Sequence, residues 1–343
     1  MHQDTLIDAP GDERLALLRQ WIVDSEETRR ATLETASDDA SFRRYFRVRA
    51  DGKSWIAMDA PPPMEDCRPF VDIAGRLRAM SLNAPEILCA DLERGFLLMA
   101  DLGDTTYLGQ IQDSPGRLNA LYDDAIDALV MLQQRGVEHC ADLPPYDEAL
   151  LRRELGLFHD WLCEKHLGLR FTDTEEQRWA EACDRLVANA LEQQQVFVHR
   201  DYHSRNLMVR PEMNPGIIDF QDAVYGPQTY DLVSLLKDCY YRLDPADIER
   251  GIERFIEGQT GDLRISNSDR FRDELELMGI QRHLKAAGIF ARLNHRDGKS
   301  RYLQDVPVAL DYIVNARSIC PEIDWLREFV EQRVLPALVE AGP

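Results

Sequence analysis

The sequence predicts an α+β protein in two lobes, a small one built on an antiparallel sheet and a larger, mainly helical one. Three observations carry this. Two turns in the first hundred residues, one Asp-Gly and one Arg-Gly, each lie between short β runs. Beyond about residue 101, apolar residues recur at helical spacing through most of the chain. The 343 residues are also too many for one ordinary hydrophobic core.

The first amphipathic stretch is 12–23, with Leu15, Leu18, Trp21 and Ile22 on one helical face. Between Thr32 and Ala60 the pattern changes. Phe42, Tyr45, Phe46 and Val48 precede the turn Ala50-Asp51-Gly52-Lys53, and Trp55-Ile56-Ala57-Met58 follows it, which reads as a hairpin. Pro61-Pro62-Pro63 then breaks the chain. A helix is predicted over 66–80, where Phe70, Ala74, Leu77 and Met80 keep helical spacing. The runs 87–90 and 96–99 flank Glu93-Arg94-Gly95 as a second hairpin. Ser114-Pro115 offers an N-cap and a proline at the first helical position, for a helix reaching Gln134. Further helices are predicted over about 147–166, 175–194, 229–241, 245–258, 268–293, 304–316 and 322–339. One β island interrupts them, at 196–198, 206–209 and 216–219. The change of pattern divides the chain into lobes 1–101 and 102–343.

Composition narrows the partners. Apolar residues are 44% and charged residues 29%, the profile of a soluble globular protein. No run approaches the roughly 20 apolar residues that span a bilayer. Met1-His2-Gln3-Asp4-Thr5 lacks the basic start and apolar run of a secretory signal, so a cytoplasmic protein is expected. Seven scattered cysteines without a C-x-x-C pair argue for reduced thiols, mostly buried, rather than a disulfide framework or zinc site. The net charge of −21 argues against nucleic acid or a membrane surface as partner, since both reward a basic face. It remains compatible with a nucleoside triphosphate held through Mg²⁺ by the protein's own carboxylates. A monomer is expected.

The chemistry concentrates where strands end. Val196-Phe197-Val198 runs into His199-Arg200-Asp201-Tyr202-His203-Ser204-Arg205-Asn206. A second apolar strand ends in Ile217-Ile218-Asp219-Phe220-Gln221-Asp222. Apolar strands bury their backbone and leave terminal side chains facing a cleft. Phosphoryl transfer asks for a carboxylate to orient an acceptor hydroxyl and take its proton, and for a carboxylate with an amide oxygen to hold Mg²⁺. Asp201, Asp219 and Asn206 supply those groups.

This ordered set resembles the catalytic loop and metal-binding segment of eukaryotic-type kinases. His203 stands where protein kinases carry a lysine. With Ile218-Asp219-Phe220 downstream and Tyr230-Asp231-Leu232 beyond, the chain looks more like the aminoglycoside phosphotransferase and choline kinase branch, which phosphorylates small molecules. The likeness covers the chain in outline and is sharp over 196–232. It implies a bilobal protein-kinase-like fold with ATP and Mg²⁺ as cofactors. It implies Asp201 as catalytic base or orienting carboxylate, Asn206 and Asp219 as metal ligands, and His199 and Asp231 as supports of the loop. The segment of Met99, Asp101 and Leu102 becomes the hinge whose backbone meets the adenine ring.

Two positions depart from the family pattern. Its phosphate-covering loop, often glycine-rich, reads Ala36-Ser37-Asp38-Asp39-Ala40-Ser41-Phe42-Arg43-Arg44-Tyr45 and contains no glycine. Ser41, backbone N–H groups, and Arg43 or Arg44 are expected to reach phosphate instead. The strand expected to carry a phosphate-pairing lysine reads Trp55-Ile56-Ala57-Met58-Asp59, with an aspartate near the lysine's place. Either an arginine of the preceding strand substitutes, or Mg²⁺ does most of the holding.

Three stretches narrow the resemblance to bacterial anomeric kinases for N-acetylmuramate and N-acetylglucosamine. They are Ser41 to Val48, Met58-Asp59-Ala60-Pro61-Pro62, and Gln281 to Leu293, which reads QRHLKAAGIFARL. The resemblance implies an amino sugar converted to its 1-phosphate in cell-wall recycling. The residues themselves give a hydroxyl acceptor and an ATP-like donor, and no sugar. A lactyl carboxylate calls for a cation or backbone donors. The candidate substrate contacts are His203, Arg205, Asp222, Arg282, His283 and Lys285. A kinase of another small alcohol, such as an aminoglycoside or choline, and a non-catalytic binding module on the same fold are the alternatives.

Overall fold

A computed structural model describes residues 12–23, 31–38 and 42–342. The chain forms two compact units. One comprises Met1–Thr105 with Met208–Asp222, the other Thr106–Leu207 with Ala223–Pro343.

The first unit is built on a five-stranded antiparallel sheet. Its elements are α1 (Glu13–Val23), β1 (Thr32–Asp38), β2 (Arg44–Ala50), β3 (Lys53–Asp59), α2 (Arg68–Ala79), β4 (Ile87–Asp91) and β5 (Phe96–Ala100), with strand order β1-β2-β3-β5-β4. Asp12 opens α1 by accepting the Leu15 N–H, at 3.0 Å. Asp51 and Gly52 both take positive φ, 49° and 76°, as a two-residue hairpin turn requires. That turn sets Ala50 opposite Lys53 and Val48 opposite Trp55. Alternation then sends Phe46, Val48, Trp55 and Ala57 to one face, where they pack on Leu18 and Ile22 of α1. Gly95 turns the second hairpin at φ +76°, and a Cβ there would lie 1.9 Å from the Ala60 carbonyl oxygen.

Strand β1 was not anticipated. It reads TLETASD, and Leu33 is the buried side chain among those described. An edge strand with one covered residue gives no alternating pattern to detect. It absorbs Ala36, Ser37 and Asp38 from the segment expected as a loop.

The second unit is helical around a short β island. It contains α3 (Tyr107–Asp113), α4 (Leu118–Gly136), α5 (Glu148–Leu157), a π-helical stretch over Phe158–His166, and α6 (Asp173–Glu192). In this unit β6 (Gln195–Val198) pairs with β9 (Val224–Pro227); the chain between them carries the ribbon of β7 (Leu207–Met208) and β8 (Gly216–Ile217), whose residues from Met208 on belong with the first unit. Then come α7 (Tyr230–Leu236), α8 (Pro245–Gly258), α9 (Ser268–Asp297), α10 (Val306–Val314), α11 (Pro321–Phe329) and α12 (Leu335–Ala341). The fourth strand of the island, β9, is a second surprise, because its glycine and proline disguise it. Helix α7 is shorter than the predicted 229–241. Lys237 leaves helical geometry, and Asp238 uses its carboxylate on the Tyr240 N–H, at 2.9 Å, and on Ser204. The central element is the 30-residue α9. At Gly288 a Cβ would lie 2.3 Å from the Leu157 carbonyl carbon, so α9 meets the end of α5 at glycine distance.

The segment 208–222 belongs with the first unit, which departs from the expected division at 101/102. The Ile217 N–H donates to the Asn83 carbonyl at 2.8 Å, Asn83 Nδ2 donates to the Met213 carbonyl at 2.9 Å, and the Phe220 and Phe70 rings meet at 4.7 Å. Hydrogen bonds across 130 positions leave no trace in local spacing. Five of the seven cysteines are buried, the exceptions being Cys89 and Cys320. Among the described residues no helix is long and apolar enough to cross a membrane.

Candidate active site

The loop after β6 is held from below by one carboxylate. Asp231, fully buried in the first turn of α7, accepts the His199 N–H at 2.6 Å and the Arg200 N–H at 2.9 Å. Arg200 has φ +79°, a conformation that costs a non-glycine residue of order 1 kcal/mol. The paired N–H bonds hold it there. Burial raises the Asp231 carboxyl to about 7, although both N–H bonds pull the other way. The His199 ring accepts the Asp201 N–H on Nδ1 at 3.2 Å, and Tyr202 OH donates to the Ala125 carbonyl of α4 at 2.8 Å. Each of these contacts fixes the backbone that presents Asp201.

Burial pushes the Asp201 carboxyl up, but the charges of Lys285, His203, Arg200 and His199 outweigh it and hold the group below the usual carboxylate range. Two of those cations converge on a residue that sequence reasoning missed. Glu154 of α5 pairs with Arg200 Nη2 at 2.5 Å and with Lys285 Nζ at 3.1 Å. Its other oxygen accepts from Tyr146 OH and, at 3.3 Å, from Gln281 Nε2. Burial raises the Glu154 carboxyl, and Lys285 and Arg200 bring it back below its ordinary value. A faint signal existed. Glu154 stands three residues after Leu151 and one before Leu155, both fully covered, so its carboxylate lies on the apolar face of α5.

The loop closes on Asn206, whose Nδ2 donates to the Asp201 carbonyl at 3.0 Å while its own N–H donates to the His203 carbonyl at 2.9 Å. These bonds fix the Asn206 side chain within the loop. Asp238, also missed, accepts the Ser204 N–H at 3.0 Å and its hydroxyl at 2.5 Å. His203 packs edge-on to Tyr240, and its Nδ1 is buried without a hydrogen-bond partner. Burial pushes its imidazole below the ordinary value. Arg282 Nη1 is likewise buried and unpartnered, with Asp238 and Asp201 among the charges acting on it. Arg205 is exposed, its guanidinium 3.6 Å from the Tyr240 ring centroid.

Two expected substrate contacts are otherwise engaged. Lys285 is buried between Glu154 and Tyr230 OH, the latter at 2.9 Å, so it supports the loop from behind. His283 stacks on Tyr312 at 4.5 Å and sets Nε2 2.9 Å from the Lys237 carbonyl. Only 1% of it is exposed. His283 is thus a packing residue of α9, which corrects its assignment to substrate. The helix turns it inward because the same apolar stripe carries Leu284 and Ala287.

In the first unit, Asp219, two residues past the end of β8, has φ +63°, and its Oδ1 accepts from Gln221 Nε2 at 2.8 Å. Asp222 is exposed nearby in sequence, and both carboxylates act on the Arg43 guanidinium. Asp59, at the place of the missing lysine, is fully buried and neutralised from two sides. Arg14 Nε and Arg44 Nε each reach it at 3.0 Å, and Arg44 also pairs with Asp12. The Asp101 carboxylate accepts from Arg47 Nε at 2.8 Å, Ser54 Oγ at 2.5 Å and the Gly103 N–H at 2.8 Å. Met99 and Leu102 are buried, and Met99 sits opposite both Ile56 and Ile87 in the sheet. Ser41 lies outside the described residues.

Residues 32–265 match the profile of the phosphotransferase enzyme family. The chain belongs to that family. Its relatives include the N-acetylmuramate/N-acetylglucosamine kinase of Pseudomonas aeruginosa, 48% identical over 91% of this chain and 90% of that protein. The protein of the same name from Neisseria meningitidis serogroup B is 40% identical over 88% of this chain and 90% of its own length. Among solved structures, an ethanolamine kinase of Plasmodium vivax superposes with a TM-score of 0.60 at 12% identity, covering 87% of this chain and 86% of that one. The fold is therefore the bilobal kinase-like α+β fold, and this phosphotransferase is an enzyme that moves a phosphoryl group to an acceptor.

Proposed function

We propose that this phosphotransferase is an ATP-dependent sugar kinase that phosphorylates the anomeric hydroxyl of N-acetylmuramate and N-acetylglucosamine to the 1-phosphate, a cytoplasmic and monomeric enzyme of cell-wall recycling. The near full-length identity to a relative named for these two sugars carries the reading. The loop chemistry supports it.

Asp201 acts on the acceptor hydroxyl. Kept ionised by the cations around it, it orients the hydroxyl and takes its proton as the oxygen attacks phosphorus. Asn206 and Asp219 supply an amide oxygen and a carboxylate, hard donors that fit Mg²⁺. The bound ion would neutralise charge on the phosphate oxygens of ATP. His199 and Asp231 hold the loop and take no part in proton transfer. The backbone around Met99, Asp101 and Leu102 receives the adenine ring, and Ser41 and Arg43 are the groups assigned to the phosphates, Arg44 being engaged by Asp59 and Asp12.

On the sugar side, His203 Nδ1 and Arg282 Nη1 are the best contacts. Each is a buried polar atom that lacks a partner, and a substrate oxygen would remove that cost of roughly 1–3 kcal/mol. Arg282 suits the lactyl carboxylate of N-acetylmuramate, with Arg205 and Asp222 as outer polar contacts. The test is turnover with Mg-ATP against a panel of N-acetylated sugars, aminoglycosides and choline, with the product read by phosphorus NMR. A 1-phosphate of either N-acetylated sugar is expected. ADP release with aminoglycosides or choline alone would defeat the proposal.

A further inference from the structure

The catalytic loop is pegged at both ends by buried carboxylates. Before Asp201, Asp231 takes the N–H groups of His199 and Arg200. After it, Asp238, fully buried beyond the end of α7, takes Ser204. The Asp238 Oδ2 accepts the Ser204 N–H at 3.0 Å and the Ser204 hydroxyl at 2.5 Å. The Ser204 carbonyl accepts the Leu108 N–H of α3 at 3.0 Å. Every polar group of Ser204 is engaged and the residue is itself fully buried, so it serves the loop rather than a ligand.

The other oxygen of Asp238 serves its own segment. Oδ1 accepts the Tyr240 N–H at 2.9 Å, which closes a turn over 238–240. The Tyr240 ring in that turn meets both neighbours of Ser204. The His203 ring stands edge-on to it with centroids 5.1 Å apart, and the Arg205 guanidinium lies 3.6 Å from its centroid. One carboxylate therefore fixes the backbone from which His203 and Arg205 extend and also the ring on which both rest. The group has to be a carboxylate. It serves three donors, the Ser204 N–H, the Ser204 hydroxyl and the Tyr240 N–H, and an amide with one acceptor oxygen cannot do so. Asp201 is braced separately, by Asp231 through His199 and Arg200, so a shift at Ser204 falls first on His203 and Arg205.

We infer that Asp238 is a positioning residue for the phosphoryl acceptor, holding Ser204 and Tyr240 so that His203 and Arg205 are aimed at it. His203 Nδ1, buried and without a hydrogen-bond partner, is the atom whose direction this arrangement sets. The inference rests on the proposed function in taking His203 and Arg205 as acceptor contacts.

Steady-state kinetics of the full chain, with KM for the acceptor and for Mg-ATP measured separately, test this. The acceptor is the one that the wild type turns over best among N-acetylated sugars, aminoglycosides and choline. Asp238→Asn sets an amide N–H against one of the three donors. It should raise the acceptor KM roughly 10- to 100-fold, the scale of a lost hydrogen bond to a charged group, and leave the Mg-ATP KM within about threefold. Where that variant fails to fold, Tyr240→Ala carries the test. It should raise the acceptor KM roughly 10-fold, and Tyr240→Phe, which restores the ring, should recover most of that loss. Arg270→Ala, an exposed change at the start of α9, should match the wild type. A residue that served stability alone would lower Vmax through the folded fraction and leave the acceptor KM where it was. An unmoved acceptor KM in Asp238→Asn, or in Tyr240→Ala where the first does not fold, overturns the inference. So does an equal rise in the Mg-ATP KM, or a Tyr240→Phe protein as impaired as Tyr240→Ala. A wild type that phosphorylates choline or an aminoglycoside and no sugar defeats the sugar reading, and the same series on that acceptor still decides this inference. Turnover of no acceptor in the panel defeats both.

Discussion

Removing the carboxylate at Glu154 should damage the protein more than removing either cation it holds. Glu154 is buried, with Arg200 at 2.5 Å, Lys285 at 3.1 Å, and hydrogen bonds from Tyr146 and Gln281. Glu154→Gln keeps the shape and strands two buried cations without an anion. Breaking a buried pair from one side costs about 3–5 kcal/mol, chiefly because the partner charge stays behind. For a unit of this size that lowers Tm by roughly 6–20 °C. Lys285→Met leaves Glu154 still paired with Arg200, so its cost is about 1.5–3 kcal/mol, the lost pair plus the Tyr230 bond. The double variant should cost less than the sum, because the residues share one network. Thermal melts of the three variants, beside Lys53→Met as an exposed control, give the ordering. The kinase rate of Glu154→Gln should fall too, since Glu154 anchors Arg200, the residue before Asp201. A Glu154→Gln protein melting within 2 °C of wild type, or a Lys285→Met protein melting below it, would refute this account of the cluster.

Asp201→Asn should lower kcat by roughly 10²- to 10⁴-fold with nucleotide affinity changed only a few-fold; near-normal turnover would remove Asp201 from the mechanism. His283 gives a pH signature. Burial pushes its imidazole down to about 3, so the unfolded chain takes up a proton below about pH 6.5 that the fold refuses. Stability from this site is complete above that pH and falls by about 2 kcal/mol between pH 7.5 and 5. Melts of wild type and His283→Gln at both values should show the smaller acid loss in the variant, and equal losses would contradict the assignment. Gly288→Ala should destabilise by about 1–3 kcal/mol or more, because the new Cβ meets the Leu157 backbone at 2.3 Å and cannot be relieved by a rotamer. An unchanged melting temperature would show that α9 and α5 separate easily.

The sequence by itself determined what is local. The Asp51-Gly52 hairpin, the helical stretches and the order of Asp201, Asn206 and Asp219 are set by neighbours a few positions apart, and each could be read from spacing. Strand β1 could not, because an edge strand with one covered side chain has no pattern of its own. Only the tertiary structure decided which charges meet. Glu154 comes to Arg200 from 46 positions away, Asp238 to Ser204 from 34, and Asp59 to Arg14 from 45. Lys285 and His283, two residues apart on α9, looked alike as candidates for substrate. Packing gave one an ion pair behind the catalytic loop and the other a place between a tyrosine ring and a main-chain carbonyl. The reason is physical. Secondary structure follows from contacts along the chain, whereas a buried charge is tolerated only where the fold brings a partner, and that partner's position in sequence is unconstrained.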